Sequence, residues 1–307
     1  MLTDAQNFAV VKTELDRVFY QEFRWDTSFP SLATAETSSL FKPMTIDRAA
    51  YVEEIFMGSP LFANVGETQV VPATTPIAGN KLTTYVQDYS QARDISKDWF
   101  DDNMHGMYSR VITDMATKAR ITQTSNAFAI FRNAFTTALT ADGVAICGAH
   151  TLLNGASYTN TFTGALTVEN FNAALVAMGS QPDQAGVVMG TMAKYLVVPP
   201  VLFTHAVQIT QSALVADSGN NNINVYRSAF GVTIYTSPYL GSAVSGGSDS
   251  HWFLLADNHQ ITRIVRQGVQ TFLRDWGYSN NRTYNYQANF RETVYCPDYI
   301  GIIGFTG

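Results

Sequence analysis

The stretch from about Asp101 to Leu139 limits what this chain can fold into more than any other. Met104, Tyr108, Val111, Ile112, Met115, Ala119, Phe128, Phe131, Phe135 and Leu139 recur mostly at spacings of three, four or seven. That is the repeat of one helix face. No proline interrupts the stretch, and Asp98, Asp101 and Asp102 gather at its start. Carboxylates favour that end because the helix dipole is positive there. At 1.5 Å per residue the pattern predicts a rod of roughly 57 Å. A compact domain of this chain length is only about 40 Å across. The rod is therefore expected to be a spine to which other parts attach. Its weak spot is Thr122–Asn126, five polar residues that form helix poorly.

Ahead of the spine, residues 3 to 23 read as an amphipathic helix capped by Thr3 or Asp4, with Phe8, Val11, Leu15, Val18, Phe19 and Phe23 at helical spacing. A Ser-, Thr- and Pro-rich loop follows. Glu67–Val71 and Leu82–Gln87 read as the two strands of a long hairpin, with Pro72–Lys81 as its tip and Ile77 the one large apolar residue there. Such a ribbon is marginal alone in water and is expected to rest on a neighbouring surface. Beyond the spine, Asp142-Gly143 turns into an apolar strand, Val144–Cys147, and Asn154-Gly155 marks a second turn. Thr167 opens a helix that Gly179 closes. A buried strand breaks at Pro199-Pro200 and resumes as helix, a loop is expected at 220–222, and a strand lies around Val232–Tyr235. Three strand blocks fill the last fifty residues, and the spine's apolar face is their expected partner.

Charge narrows the function. The 307 residues carry a net charge of -6, which gives no basic surface for nucleic acid. Charged residues make up 14% of the chain, against a usual value of about 25%. Residues 142–257 hold two basic and six acidic side chains. An exterior so thinly charged is expected to be covered by copies of the same chain. The first residues have no basic region ahead of an apolar run, so no signal peptide is expected, and no window reads as a membrane span. Cys147 and Cys296 sit in unrelated contexts; a reduced pair is the default and a disulfide the alternative.

Catalytic and cofactor signals are not found. His251 and His259 with Asp249 and Asp257 match no metal-ligand spacing. His105, His150 and His205 lie in three different elements, with no G-x-S-x-G nucleophile motif and no glycine-rich phosphate loop. No catalytic, cofactor-binding or metal residue is therefore assigned. A cytoplasmic hydrolase using the histidines and a secreted adhesin are the distant alternatives. Arg263, Arg266, Arg274, Arg282 and Arg291 follow residue 258 without a lysine. Their planar forks suit bridges to carboxylates on neighbouring copies, with strand-surface charge as the other reading.

The order of parts, together with Tyr89–Ser96 leading into Phe100-Asp101-Asp102, Leu196–Pro200, Arg266–Val269 and Phe290–Val294, resembles the major capsid proteins of tailed bacteriophages with the Hong Kong 97 fold. The resemblance covers the chain almost end to end and implies an α+β architecture. Its parts would be an N-terminal arm (1–63), an extended hairpin (64–92), a peripheral domain with the spine helix (93–150), an axial domain (151–257) and closing strands of the peripheral domain (258–307). It implies a non-enzymatic subunit that assembles as pentamers and hexamers into an icosahedral head around double-stranded DNA. The DNA would be enclosed without sequence-specific binding, and assembly would take place in the host bacterial cytoplasm. The implied partners are the chain itself, a portal, a separate scaffolding protein and a decoration or cement protein, with no membrane and no cofactor. Phe8, Leu15 and Phe19 on the arm, Ile77, Asn80 and Lys81 on the hairpin, and Arg263, Arg266 and Arg291 on the closing strands are then the expected contacts between subunits. Lys81 beside Asn80 could serve the lysine–asparagine crosslink of some relatives, or be an ordinary exposed lysine. An encapsulin-type bacterial nanocompartment is the alternative within the same fold.

Overall fold

In the computed structural model, which describes residues 4–24, 35–36, 40–67, 69–73, 75, 77–102, 104–212, 226, 231–275 and 282–307, the N-terminal amphipathic stretch forms α1 (Asp4–Arg24). The expected cap at Thr3, most of the loop after Arg24 and the loop at 220–222 lie outside the described residues. Four strands follow: β1 (Lys42–Thr45), β2 (Ala50–Phe56), β3 (Ala78–Tyr85) and β4 (Gln87–Ser96). The two-stranded ribbon is β2 against β3, with Glu54 opposite Lys81. It begins about fourteen residues earlier than the sequence suggested, and the described residues of 57–77 form a long loop without helix or strand. Glu67–Val71 has β-formers but forms no strand among its described residues. Strand propensity is realised only against a partner, and here the partner of β3 is Ala50–Phe56.

The spine divides sooner than expected. Ser96 accepts a hydrogen bond from the Asp98 N–H (3.2 Å) and caps a five-residue helix, α2 (Lys97–Asp101), so the aspartate cluster belongs to this short element. The long helix is α3 (His105–Arg132), 28 residues or about 42 Å. It runs unbroken through Thr122–Asn126. The hydroxyls there do not compete with the helix, because Thr122 donates to the Lys118 carbonyl (2.8 Å) and Thr124 to that of Arg120 (3.1 Å). After Arg132 the chain turns, and three successive N–H groups, from Thr136 to Ala138, point at the Asn133 carbonyl. Val144–Cys147 is not a strand; one isolated bridge, Leu139 to Ala145, is its only ladder contact.

The remaining elements are β5 (Ala149–Thr151), β6 (Ser157–Thr159), β7 (Thr161–Thr163), α4 (Val168–Gly179), β8 (Ala193–Val198), α5 (Phe203–Thr210), β9 (Thr233–Thr236), β10 (Trp252–Ala256), β11 (Thr262–Arg274), β12 (Thr283–Tyr295) and β13 (Ile302–Thr306). Thr167 caps α4 by accepting from the Asn170 N–H. Pro200 opens a 3-10 turn between β8 and α5, as the sequence predicts.

Two sheets carry the architecture. The first has the order β1-β11-β12-β4, with β1 parallel to β11 and the other pairs antiparallel. The ribbon therefore leaves the chain between the two outer strands of one sheet. On β12, Tyr284, Tyr286, Ala288, Phe290 and Glu292 alternate inward, the period-two pattern of a half-buried strand. Leu15 and Phe19 of α1 and Ile112 and Met115 of α3 close over that face.

The second sheet has the order β7-β13-β10-β8-β9. Successive residues of β10 enter different cores: Trp252, Leu254 and Ala256 pack with Phe171 and Met178 of α4, while Phe253 and Leu255 pack with Phe128 and Phe131 of α3. The strand is buried on both faces, which is why it reads as a continuous apolar run. This sheet also takes β13, which the sequence grouped with β11 and β12. Ile302 faces one core and Ile303 the other, a position that only an inner strand between two layers provides. Gly304 permits it: a Cβ there would lie 2.6 Å from the Cys147 sulfur and 2.9 Å from the Phe135 ring.

Candidate assembly surfaces

The expected contact residues divide by how far their own chain has already engaged them. Leu15 and Phe19 are wholly buried between α1, α3 and the first sheet, and Phe8 is half-buried. Asp16 holds the helix down by accepting from the Thr271 hydroxyl (2.7 Å) and the Tyr286 hydroxyl (2.8 Å), and Tyr20 donates to the Val269 carbonyl. Leu15 and Phe19 thus have no surface to offer a neighbour; their apolar stripe is absorbed by the helix's own body.

Two of the three arginines are likewise engaged by their own chain. Arg263 lies buried between Glu292, which its Nε reaches at 3.1 Å, and Glu36. Glu292 sits on the inward face of β12, so its charge needs a partner inside the chain. Burial pushes its carboxyl above the ordinary range, and Arg263 pulls back only part of that. Arg291 pairs with Asp88, its cross-strand partner on β4. Arg266 stays half-buried on β11.

On the ribbon, Asn80 and Lys81 lie inside β3 and not at a tip, and Lys81 reaches Glu54 at 3.1 Å. Ile77 is the loop's last residue and about half exposed. The apolar surface that sequence reasoning missed is the rest of the loop. Leu61, Phe62, Val70 and Val71 are all largely exposed, Phe62 completely. Their signal was present, since large apolar residues between Pro60 and Pro72 had no periodic partner. The base of the loop is seated: Gly58 has positive φ (78°), and a Cβ there would meet Ala185 and Asp183 at 2.9 and 3.0 Å. Tyr295 of β12 donates to Glu53 of β2 and fixes the ribbon's root to the first sheet.

A second apolar feature lies on the flank of α3. The helix α1 covers one side of α3, where Arg120 reaches the Glu22 carbonyl. The other side, toward β4, is a groove of about 230 Å³ lined by Tyr89, Met115, Lys118, Ala119, Ala288 and Phe290, with Ser90, Gln91 and Thr122 at its margin. Ala119 and Ala288 are too small to fill it.

The polar groups considered as chemistry are occupied structurally. His150 is buried, its Nδ1 2.7 Å from Asp142 and its ring stacked on Tyr299. His251 packs edge-on against Phe135, Asp249 holds Ser242, and Asp257 holds Lys194. Among the described residues no cluster of three metal-ligating side chains occurs, and no helix is long and apolar enough to cross a membrane. Cys147 and Cys296 are buried free thiols.

Comparison with known proteins follows the same line. No curated protein sequence matches the chain. Its fold is similar to the virus-like particle from Pyrococcus furiosus (9% identity over 96% of this chain and 98% of that one, TM-score 0.53). It is similar also to Microbacterium phage Oxtober96 (11%, 92% and 92%, 0.57) and to the mature capsid of bacteriophage PhiM1 (12%, 86% and 84%, 0.55). At such identities these likenesses carry the fold, which is of the Hong Kong 97 type. A family model described as phage capsid protein matches residues 79–303, well over half of the chain. The chain therefore belongs to the phage capsid protein family, as a structural, non-enzymatic major capsid protein of the tailed-phage kind.

Proposed function

We propose that this subunit tiles as pentamers and hexamers into an icosahedral head that encloses double-stranded DNA. The observation that carries this reading is the exposed loop 57–77, whose Leu61, Phe62, Val70 and Val71 project from a ribbon rooted in the first sheet. Large apolar side chains left in water on a projecting limb mark a contact made in the assembly. In this reading the ribbon overlaps the adjacent subunit, and the domain around the five-stranded sheet meets its copies about the capsomer axis. Each contact is modest, and a closed shell makes many at once. The acidic balance limits adhesion to the packaged DNA. A portal, a separate scaffolding protein and a decoration or cement protein are the partners such a head would take, with assembly in the host bacterial cytoplasm. An encapsulin-type compartment shares the fold; the phage capsid family match favours the head.

The test is expression with the neighbouring genes, followed by gel filtration and negative-stain microscopy. Closed shells are expected from the unaltered chain. The double variant Leu61→Ser with Phe62→Ser should remain soluble, with an unchanged melting temperature, and yield none. A compact monomer at high concentration, or normal shells from the double variant, would refute the loop's role in assembly.

A further inference from the structure

The geometry points to a specific seat for the loop: Phe62 and Leu61 of one copy enter the groove beside α3 of a second copy, with Glu67 of the loop against Lys118 of the groove. The inference rests on the self-assembly proposed above and names the contact. Three observations commit it to a second copy of this chain.

The first is charge. In the sequence of the loop, 57–77, Glu67 is the only ionisable side chain, and it is exposed. Of the described residues that line the groove, Lys118 alone carries a charge. Neither forms an ion pair among the described residues, and Asp114, one turn before Lys118, is taken by Arg93. A single acid beside an apolar prong thus matches a single base beside an apolar slot. Placing one pair at the margin of an apolar contact fixes its register and orientation.

The second is size and character. Tyr89, Met115, Ala119, Ala288 and Phe290 form an apolar floor whose two alanines leave space for an aromatic ring. The loop supplies a completely exposed phenylalanine. Aromatic anchors in a fitted pocket are the usual centre of such contacts.

The third is topology. No described residue of the loop lines its own chain's groove, and the base of the loop is seated instead against Asp183 and Ala185. Prong and slot are different patches, so copies joined this way are related head to tail. A contact of that kind closes into a ring when the rotation allows, and it does not stop at pairs.

The test uses the full chain assembled into shells. The variant Ala63→Cys combined with Thr122→Cys, which keeps Leu61 and Phe62 in place, should give a ladder of covalent oligomers beyond the dimer on a denaturing gel after treatment with a mild oxidant. Either substitution alone should run as monomer, since Cys147 and Cys296 are buried. The charge pair gives a second readout. Glu67→Lys or Lys118→Glu alone should each lower shell yield by about tenfold, because a like-charge contact is repeated throughout the shell. The two together should restore it. If the unaltered chain forms shells but the cysteine pair stops at dimers or stays monomeric, the seat is wrong and self-assembly stands. The same holds if the double charge variant is no better than the single ones. If the unaltered chain forms no shells at all, both readings fall.

Discussion

Asp142 shows how one side chain ties a loop that has no regular structure. Burial alone would raise its pKa, but hydrogen bonds from His150, Thr140 and the Val144 N–H prevail and hold it below the ordinary carboxylate range. A carboxyl depressed in the folded state stabilises fully above its unfolded value, about 3.9, and loses that contribution as pH falls through its lower folded value. Asp142→Asn should therefore lower stability near neutrality and flatten the acid limb of the unfolding profile; parallel acid limbs would contradict this. Glu292 has the opposite sign. Its folded pKa is raised, so the folded state holds the proton more tightly and stability falls as pH rises through the interval between the unfolded and folded values. Arg263→Met leaves Glu292 buried and unpaired, and the expected cost at pH 7 is about 3 kcal/mol. Urea titrations at pH 7 and pH 5 check it: the deficit should shrink at the lower pH.

Among the elements, β13 is the one whose place depends on a single small residue. Gly304→Ala puts a methyl against the Cys147 sulfur and the Phe135 ring. Overpacking of this kind costs about 1–3 kcal/mol, measurable as a lower denaturant midpoint with an unchanged slope. Elements with local chemistry were legible in the sequence. Helix α4 begins at Thr167 and ends at Gly179, β8 stops before Pro199-Pro200, and α1 shows its apolar stripe. Elements decided by distant partners were not. Nothing local distinguishes Ala50–Phe56, which pairs with β3, from Glu67–Val71, which is no strand. Nor does period alone reveal that α2 ends at Asp101 while the polar Thr122–Asn126 continues α3. The assembly surface was half legible for the same reason. Amphipathic spacing marked Leu15 and Phe19 as an apolar stripe, which the resemblance set against another subunit; in the fold the stripe packs on the chain's own sheet and long helix. Leu61 and Phe62 carried no period, and only their exposure in the fold marks them.

At the scale of the whole molecule, the two sheets share structure through α3 and β10. Cys147 and Cys296 lie in the core between them, and burial raises the pKa of both thiols. A thiolate reagent reaches them only when that core opens. Labelling of the native subunit at pH 8 should run at least about a hundredfold slower than in denaturant, with both thiols reacting together. Separate rates would mean that the two layers open independently. Many of the chain's few charges are already paired internally, including Lys81 with Glu54, Lys194 with Asp257 and Arg291 with Asp88.

The ribbon's roots have a mechanical consequence. β1 precedes it, β4 follows it, and these are the opposite margins of one sheet. It is mounted like a bucket handle, so in the proposed shell a pull on the ribbon by an adjoining subunit would divide between two anchorages, β1 on β11 and β4 on β12. In the proposed shell, a pull that frees one margin of the sheet would still leave the ribbon held at the other.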